Sequence, residues 1–205
     1  MTTIARLLNP ALALALVALA EPAFAAPSVG AKAPAFKIKD TNGKVYALAD
    51  FKGKTVVLEW FNHGCPFVRK HYESKNMQKL QKRWTDKGVV WLSVNSGARG
   101  KEGFEDTKST NKTAKAVGWA GTALVVDDKG ELGKLYGATA TPHMFVIDAQ
   151  GNLVYAGAID SIASTDEADL AKADNYVDAA LTAVTTGEPV KVAQTQAYGC
   201  GVKYK

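Results

Sequence analysis

Cysteine is scarce in this chain: Cys65 and Cys200 are the two thiols among 205 residues. So small a number excludes a scaffold stapled by several disulfides, and it asks for a separate account of each thiol. Histidine is nearly as sparse, with three residues. Beyond the first segment no stretch is apolar over the roughly 20 residues that a membrane-spanning helix needs. Charge of one sign is also missing as a block. The formal net charge is +5, but Lys and Arg are interleaved with acids, which argues against nucleic acid as a partner and for a solvated basic surface. No internal repeat or low-complexity tract interrupts the chain.

What is present begins with a single cation, Arg6, the apolar run Ala11 to Ala20, and the small-residue sequence Ala23-Phe24-Ala25. This reads as a secretory signal peptide, too short in its apolar part to span a bilayer. A cut after Ala26 would leave Pro27 at the first mature position, so cleavage is expected after Ala25. The expected organisation is a signal peptide over residues 1–25, one domain over 26–187 and a tail over 188–205 that carries Cys200. The mature protein is then periplasmic or secreted, with no membrane contact after cleavage.

Phe36 to Lys39 and Val45 to Leu48 alternate as strands around Asn42-Gly43, a hairpin signal. Thr55 to Trp60 reads as a buried strand. After Pro66, suited to the first turn of a helix, Val68, Tyr72, Leu80 and Trp84 share a helical face up to Gly88, with a weak point at Ser74 to Asn76. Val89 to Val94, Thr122 to Val126, His143 to Ile147 and Leu153 to Ala156 read as further strands. Ser96 to Thr110 reads as a loop, and helices are expected near Thr110 to Val117, Glu131 to Tyr136 and Asp174 to Thr186. This order describes an α/β fold of three layers, a mixed central sheet with helices on both faces and an N-terminal β-hairpin.

Cys65 stands where a buried strand gives way to a helix, beside unpaired backbone N–H groups and the positive end of the helix dipole, a setting that favours thiolate. Arg69, one turn on, is expected to add positive charge, with Lys70 and His71 nearby. Glu59, six residues before Cys65, reads either as a proton acceptor or as a surface carboxylate paired with a cation. The segment Glu59-Trp60-Phe61-Asn62-His63-Gly64-Cys65-Pro66-Phe67-Val68-Arg69-Lys70-His71-Tyr72, taken with Thr141-Pro142-His143-Met144-Phe145-Val146-Ile147-Asp148, resembles redoxins of the alkyl hydroperoxide reductase/thiol-specific antioxidant family. The ending Tyr198-Gly199-Cys200-Gly201-Val202-Lys203-Tyr204 is similar to that of a peroxiredoxin-like subgroup. The resemblance implies a thioredoxin-like fold, Cys65 as redox thiol and Thr141-Pro142 as a cis-proline turn facing it, with His63, Thr141, Pro142 and His143 on the substrate side.

Two departures bound that resemblance. Asn62 stands three residues before Cys65, where the thioredoxin motif Cys-x-x-Cys has its other cysteine. Leu58 and Asn62 stand where well-known peroxiredoxins carry the Pro and Thr of Pro-x-x-x-Thr-x-x-Cys, and the Asn62 amide is left to offer hydrogen bonds to a peroxide. The reading is thiol chemistry without a cofactor: the Cys65 thiolate attacks a peroxide oxygen or a disulfide sulfur, and a thioredoxin-like donor restores it. Cys200 is expected to resolve Cys65, within the chain or across a homodimer, and a free or purely structural Cys200 is the alternative. The tail has the reach, at roughly 3.3–3.6 Å per residue from Gly187, to cross a domain of this size. A second function class places copper on Cys65 with His63, His71 and His143.

Overall fold

The computed structural model describes residues 26–205, and the expected signal peptide lies outside these described residues. The first hairpin pairs β1 (Lys37–Lys39) with β2 (Val45–Ala47), followed by a 3-10 turn over Leu48–Phe51. Then come β3 (Val56–Trp60), α1 (Pro66–Glu73), α2 (Asn76–Thr85), β4 (Val90–Asn95), α3 (Thr107–Val117), β5 (Ala123–Val126) and α4 (Glu131–Tyr136). The second half runs through β6 (Ala140–Thr141), β7 (His143–Ile147), β8 (Leu153–Gly157), a 3-10 helix over Glu167–Ala171, α5 (Tyr176–Thr186) and β9 (Cys200–Gly201).

A five-stranded sheet in the order β5-β4-β3-β7-β8 forms the middle layer, with β3, β4 and β5 parallel and β7 and β8 antiparallel to their neighbours. The central strand β3 is buried along its whole length, as a β-branched and apolar run covered on both faces must be. Its side chains alternate. Val57 joins a core built with Met77, Leu80 and Trp84 of α2 and Val177 and Leu181 of α5, whereas Val56, Leu58 and Trp60 meet Leu132 and Tyr136 of α4 and Phe36 of the N-terminal arm. This is the thioredoxin-like three-layer arrangement, mixed sheet, helices on both faces and N-terminal hairpin included.

The weak point in the long helix is a real break. Ser74 turns its hydroxyl back to the Lys70 carbonyl (2.6 Å), and Lys75 adopts φ +64°, so α1 and α2 are separate helices. Helix α3 starts three residues before the expected Thr110, because Asp106 caps it by accepting from the Ser109 N–H at 2.8 Å. Asn175 caps α5 in the same way and Gly187 ends it, as expected.

The stretch after α5, irregular in composition, is laid back across the domain. Gln194 bridges to Ala156, the Val202 N–H reaches the Thr139 carbonyl (3.1 Å), and the Lys203 carbonyl accepts from the Ala98 N–H (2.9 Å). Between these points β9 pairs antiparallel with β6, setting Cys200 opposite Thr141. Gly199 makes the approach feasible: at φ +121° it lies so near the Thr141 carbonyl that a Cβ there would collide with it. Strands of two residues carry no readable period, and neither was expected.

Candidate active site

The chain leaves β3 at Trp60, and Phe61 holds the line of the sheet by donating its N–H to the Val94 carbonyl (3.0 Å). Asn62 then turns it: its Oδ1 accepts from the Gly64 N–H and its carbonyl from the Cys65 N–H, both at 2.9 Å. Cys65 is the N-cap of α1, with Pro66 in the first helical position and the Cys65 carbonyl accepting from the Val68 and Arg69 N–H groups. The thiol is 1% exposed. Its Sγ donates to the Thr141 carbonyl at 3.1 Å, next to a Thr141-Pro142 bond that is cis, and receives the Cys200 N–H at 3.4 Å. Both cysteines are free thiols.

Burial works against ionisation of Cys65. Hydrogen bonds from the Cys200 thiol, the Val68 N–H, the Thr141 hydroxyl and the Cys200 N–H together outweigh it and hold the thiol below its ordinary value. The cost falls on the partner: burial first, and then the bond to Cys65 and its charge, push the half-buried Cys200 up to about 12. Of the pair, Cys65 is the sulfur that gives up its proton more readily and Cys200 the one that keeps it.

Arg69 has no part in this. Its side chain points to solvent, 56% exposed, and pairs with Glu73 at 2.7 Å, because one turn along α1 carries it past the thiol and outward. The expectation that it stabilises the thiolate is corrected: helix and tail N–H groups do that work. Asn62 shapes the turn, and its Oδ1 is already engaged there. His63 packs edge-on between Phe61 (4.9 Å) and Tyr72 (5.1 Å), and burial lowers it to about 4. His143 accepts the Thr139 N–H on Nδ1 (3.2 Å) and stacks on Phe145, on the face of β7 opposite Met144 and the core that holds Cys65. It too is lowered to about 4 by burial. Thr141 therefore meets Cys65 beside its cis bond to Pro142, while His63 and His143, expected on the substrate side, pack against aromatic rings. Nor do the histidines converge on a metal: among the described residues no group of three His, Cys, Asp or Glu side chains is placed to hold one.

The surface reading of Glu59 does not survive. The carboxylate is fully buried and no cation touches it. Oε1 accepts from the Tyr72 hydroxyl (2.7 Å), and Oε2 accepts from Gln81 Nε2 (2.9 Å), Trp91 Nε1 (2.7 Å) and Ser93 Oγ (2.8 Å). Burial raises its pKa against the four donors. A charged residue inside the otherwise apolar run Val56 to Trp60 was the signal for such a network, but its partners come from α1, α2 and β4 and share no local pattern with it. Tyr198 and Asp160, which meet beside the tail, gave no signal at all.

With this geometry in view, the likeness to known proteins is specific. The curated relative ResA, a thiol-disulfide oxidoreductase of Bacillus thuringiensis subsp. konkukian, is 29% identical over 126 residues, 62% of this chain and 67% of its own. Among solved structures, a hypothetical protein of Sinorhizobium meliloti 1021 is 26% identical, with a TM-score of 0.73 across 88% of this chain and 97% of its own. A candidate thiol:disulfide interchange protein DsbE of Chlorobium tepidum is 27% identical, with a TM-score of 0.53 over 64% of this chain and 85% of its own. The profile of the AhpC/TSA family matches residues 29–156, which include β3, Cys65, the cis-proline turn and most of β8, and the chain belongs to that family.

Proposed function

We propose that this chain is a thiol-disulfide oxidoreductase whose redox couple is Cys65 and Cys200, closed within one chain rather than across a homodimer. The observation that carries the reading is the contact of the Cys200 N–H with Cys65 Sγ at 3.4 Å, opposite the cis-proline turn. It replaces the local Cys-x-x-Cys pair that Asn62 rules out. The relative ResA, named a thiol-disulfide oxidoreductase, supports the same class.

The steps follow from the two thiols. The Cys65 thiolate attacks one sulfur of a substrate disulfide, forming a mixed disulfide and expelling the other sulfur as a thiolate. Cys200 loses its proton and attacks Cys65 Sγ, releasing the second substrate sulfur, so the substrate leaves as two thiols and the protein carries the Cys65–Cys200 bond. A thioredoxin-like dithiol donor reverses the change by two exchanges and leaves as a disulfide. With a hydroperoxide the first attack would fall on oxygen, give the Cys65 sulfenic acid and release an alcohol or water, and Cys200 would then expel water. No step uses a metal or another cofactor. We place the reaction outside the cytoplasm, after cleavage behind Ala25. N-terminal sequencing of the exported protein is expected to begin at Ala26, and full-length chain recovered from the cytoplasm would sink that placement.

The test of the couple is non-reducing peptide mapping of the mature protein after one equivalent of oxidant, in wild type and Cys200→Ser. A Cys65–Cys200 peptide is expected in the wild type, and a persistent mixed disulfide or sulfenic acid at Cys65 in the variant. Wild-type turnover in Cys200→Ser would refute the couple. Parallel assays with a disulfide, hydrogen peroxide and an organic hydroperoxide, with and without thioredoxin, assign the substrate. Faster turnover of a hydroperoxide than of the disulfide would make the protein a peroxidase.

A further inference from the structure

Lys70 and His71 follow Cys65 closely on α1, yet both turn away from it towards Asp160, a carboxylate 3% exposed just beyond β8. Asp160 Oδ2 lies 3.5 Å from Lys70 Nζ and 3.7 Å from His71 Nε2, and Oδ1 accepts from the Ile162 N–H at 3.1 Å. Lys70 Nζ also donates to the Ile162 carbonyl (3.1 Å). Into this cluster comes one residue of the returning tail: the Tyr198 hydroxyl donates to Asp160 Oδ1. Its ring lies 5.5 Å beneath Lys70 Nζ and 5.7 Å from the Phe67 ring of α1. His71 completes the chain of donors. Its Nδ1 is 2.9 Å from the Asn76 amide nitrogen, which leaves the Nε2–H to face the Tyr198 oxygen at 3.4 Å.

A buried ion pair is a weak source of stability, since desolvation cancels much of the attraction and apolar residues of equal volume serve as well. What such a cluster does supply is a single allowed position for whatever completes it. Here the completing group is Tyr198, two residues before Cys200. Further along, the tail is held by the pairing of β9 with β6, by the Val202 N–H on the Thr139 carbonyl, by the Lys203 carbonyl on the Ala98 N–H and by the Tyr204 hydroxyl on the Ala138 carbonyl (2.7 Å), whereas Tyr198 ties it to α1 itself.

We propose that Tyr198, anchored on Asp160, is the positioning residue of the Cys65/Cys200 couple: it latches the tail so that Cys200 stays over Cys65 and outside thiols stay off it. The proposal rests on the reading of these two cysteines as the redox couple. With the latch closed Cys65 is sealed by the tail. A substrate disulfide reaches it when the latch opens, and closure returns Cys200 to resolve the mixed disulfide.

The test uses the full mature chain and Tyr198→Phe, which removes one hydroxyl and leaves Asp160 its bonds to the Ile162 N–H and Lys70. In a Cys200→Ser background, the alkylation rate of native Cys65 by iodoacetamide measures how often the tail opens, provided that closing outpaces labelling. Tyr198→Phe is expected to raise it about tenfold, the effect of losing one hydrogen bond to a charged group, and the rate is expected to depend only weakly on added urea, as a local opening that exposes little surface does. With Cys200 present, release of glutathione from glutathionylated Cys65 is expected to slow by about the same factor. An unchanged alkylation rate overturns the latch. Faster alkylation with unchanged glutathione release makes Tyr198 a mere cover and overturns its positioning role, as does an alkylation rate that climbs with urea as steeply as global unfolding does. If the wild type never forms a Cys65–Cys200 bond, the couple itself fails, and the alkylation rate still decides whether Tyr198 holds the tail.

Discussion

Helix α1 serves two buried polar clusters that differ in what closes them. On one side Tyr72 donates to Glu59, and every other donor to that carboxylate belongs to α2 or β4. On the other, Lys70 and His71 meet Asp160, and the cluster is finished by Tyr198 from far along the chain. The first network forms when the core forms and has no means of opening without the core. The second holds a charge of each sign and is completed by a segment that returns from far along the chain. A buried carboxylate surrounded by core donors therefore fixes shape, and one completed by a returning strand makes contact with that strand conditional.

The largest expected effect breaks the closed cluster. Glu59→Ala strands four donors in a dry site and is expected to cost about 3–5 kcal/mol, read by chemical denaturation. A loss below 1 kcal/mol would mean that the network is dispensable and that the contrast between the clusters is empty. Acid probes the open cluster next. Unfolding lets His71 bind a proton below its free value near 6.5, whereas burial keeps it neutral in the fold down to about 4, so stability is lost as pH falls through that window. Between pH 6.5 and 5 His71 alone is expected to remove about 2 kcal/mol. Glu59 acts in the opposite sense, because its folded carboxyl keeps a proton more readily than an unfolded one. His63 and His143 shift in the same sense, so denaturation of wild type and of His71→Gln at the two pH values decides, and an equal loss in both proteins would show His71 to be as accessible as in the open chain.

Tyr72→Phe takes one donor from Glu59 while keeping the ring against His63, and is expected to cost about 1–2 kcal/mol in the same assay. The smallest effect belongs to the solvent side of α1. Arg69→Ala is expected to change stability by less than about 0.5 kcal/mol, as exposed pairs do, and to leave the titration midpoint of Cys65 alkylation where it was. A clear upward move of that midpoint would restore Arg69 to the site.

The same contrast explains what the sequence could tell. β3, the break at Ser74 to Asn76, the helix Glu131–Tyr136 and the position of Cys65 at a helix start all follow from patterns a few residues long, and the structure has them. The cis Thr141-Pro142 bond came from family resemblance, since most prolines are trans and nothing local marks this one. Arg69 was misjudged because a spacing of four along a helix says which residues are neighbours, not that a cap residue shares the outward direction of the next turn. Glu59 was misjudged because its donors lie 13 to 34 residues away, and burial of a carboxylate depends on all of them together. The Asp160 and Tyr198 contact is beyond any local reading for the same reason.

The meeting of the two cysteines spans 135 residues. A covalent bond there would tie off nearly the whole domain as one ring, and in the chain-entropy view such a ring deprives the unfolded state of freedom worth roughly 5 kcal/mol. Redox state and resistance to unfolding would then be two readings of one equilibrium. The oxidised protein should melt later than the reduced one, and by the same thermodynamic cycle a chain that has lost its fold should surrender the bond to far weaker reductants. Under the proposed couple, each turnover would alternate a tougher form with a softer one.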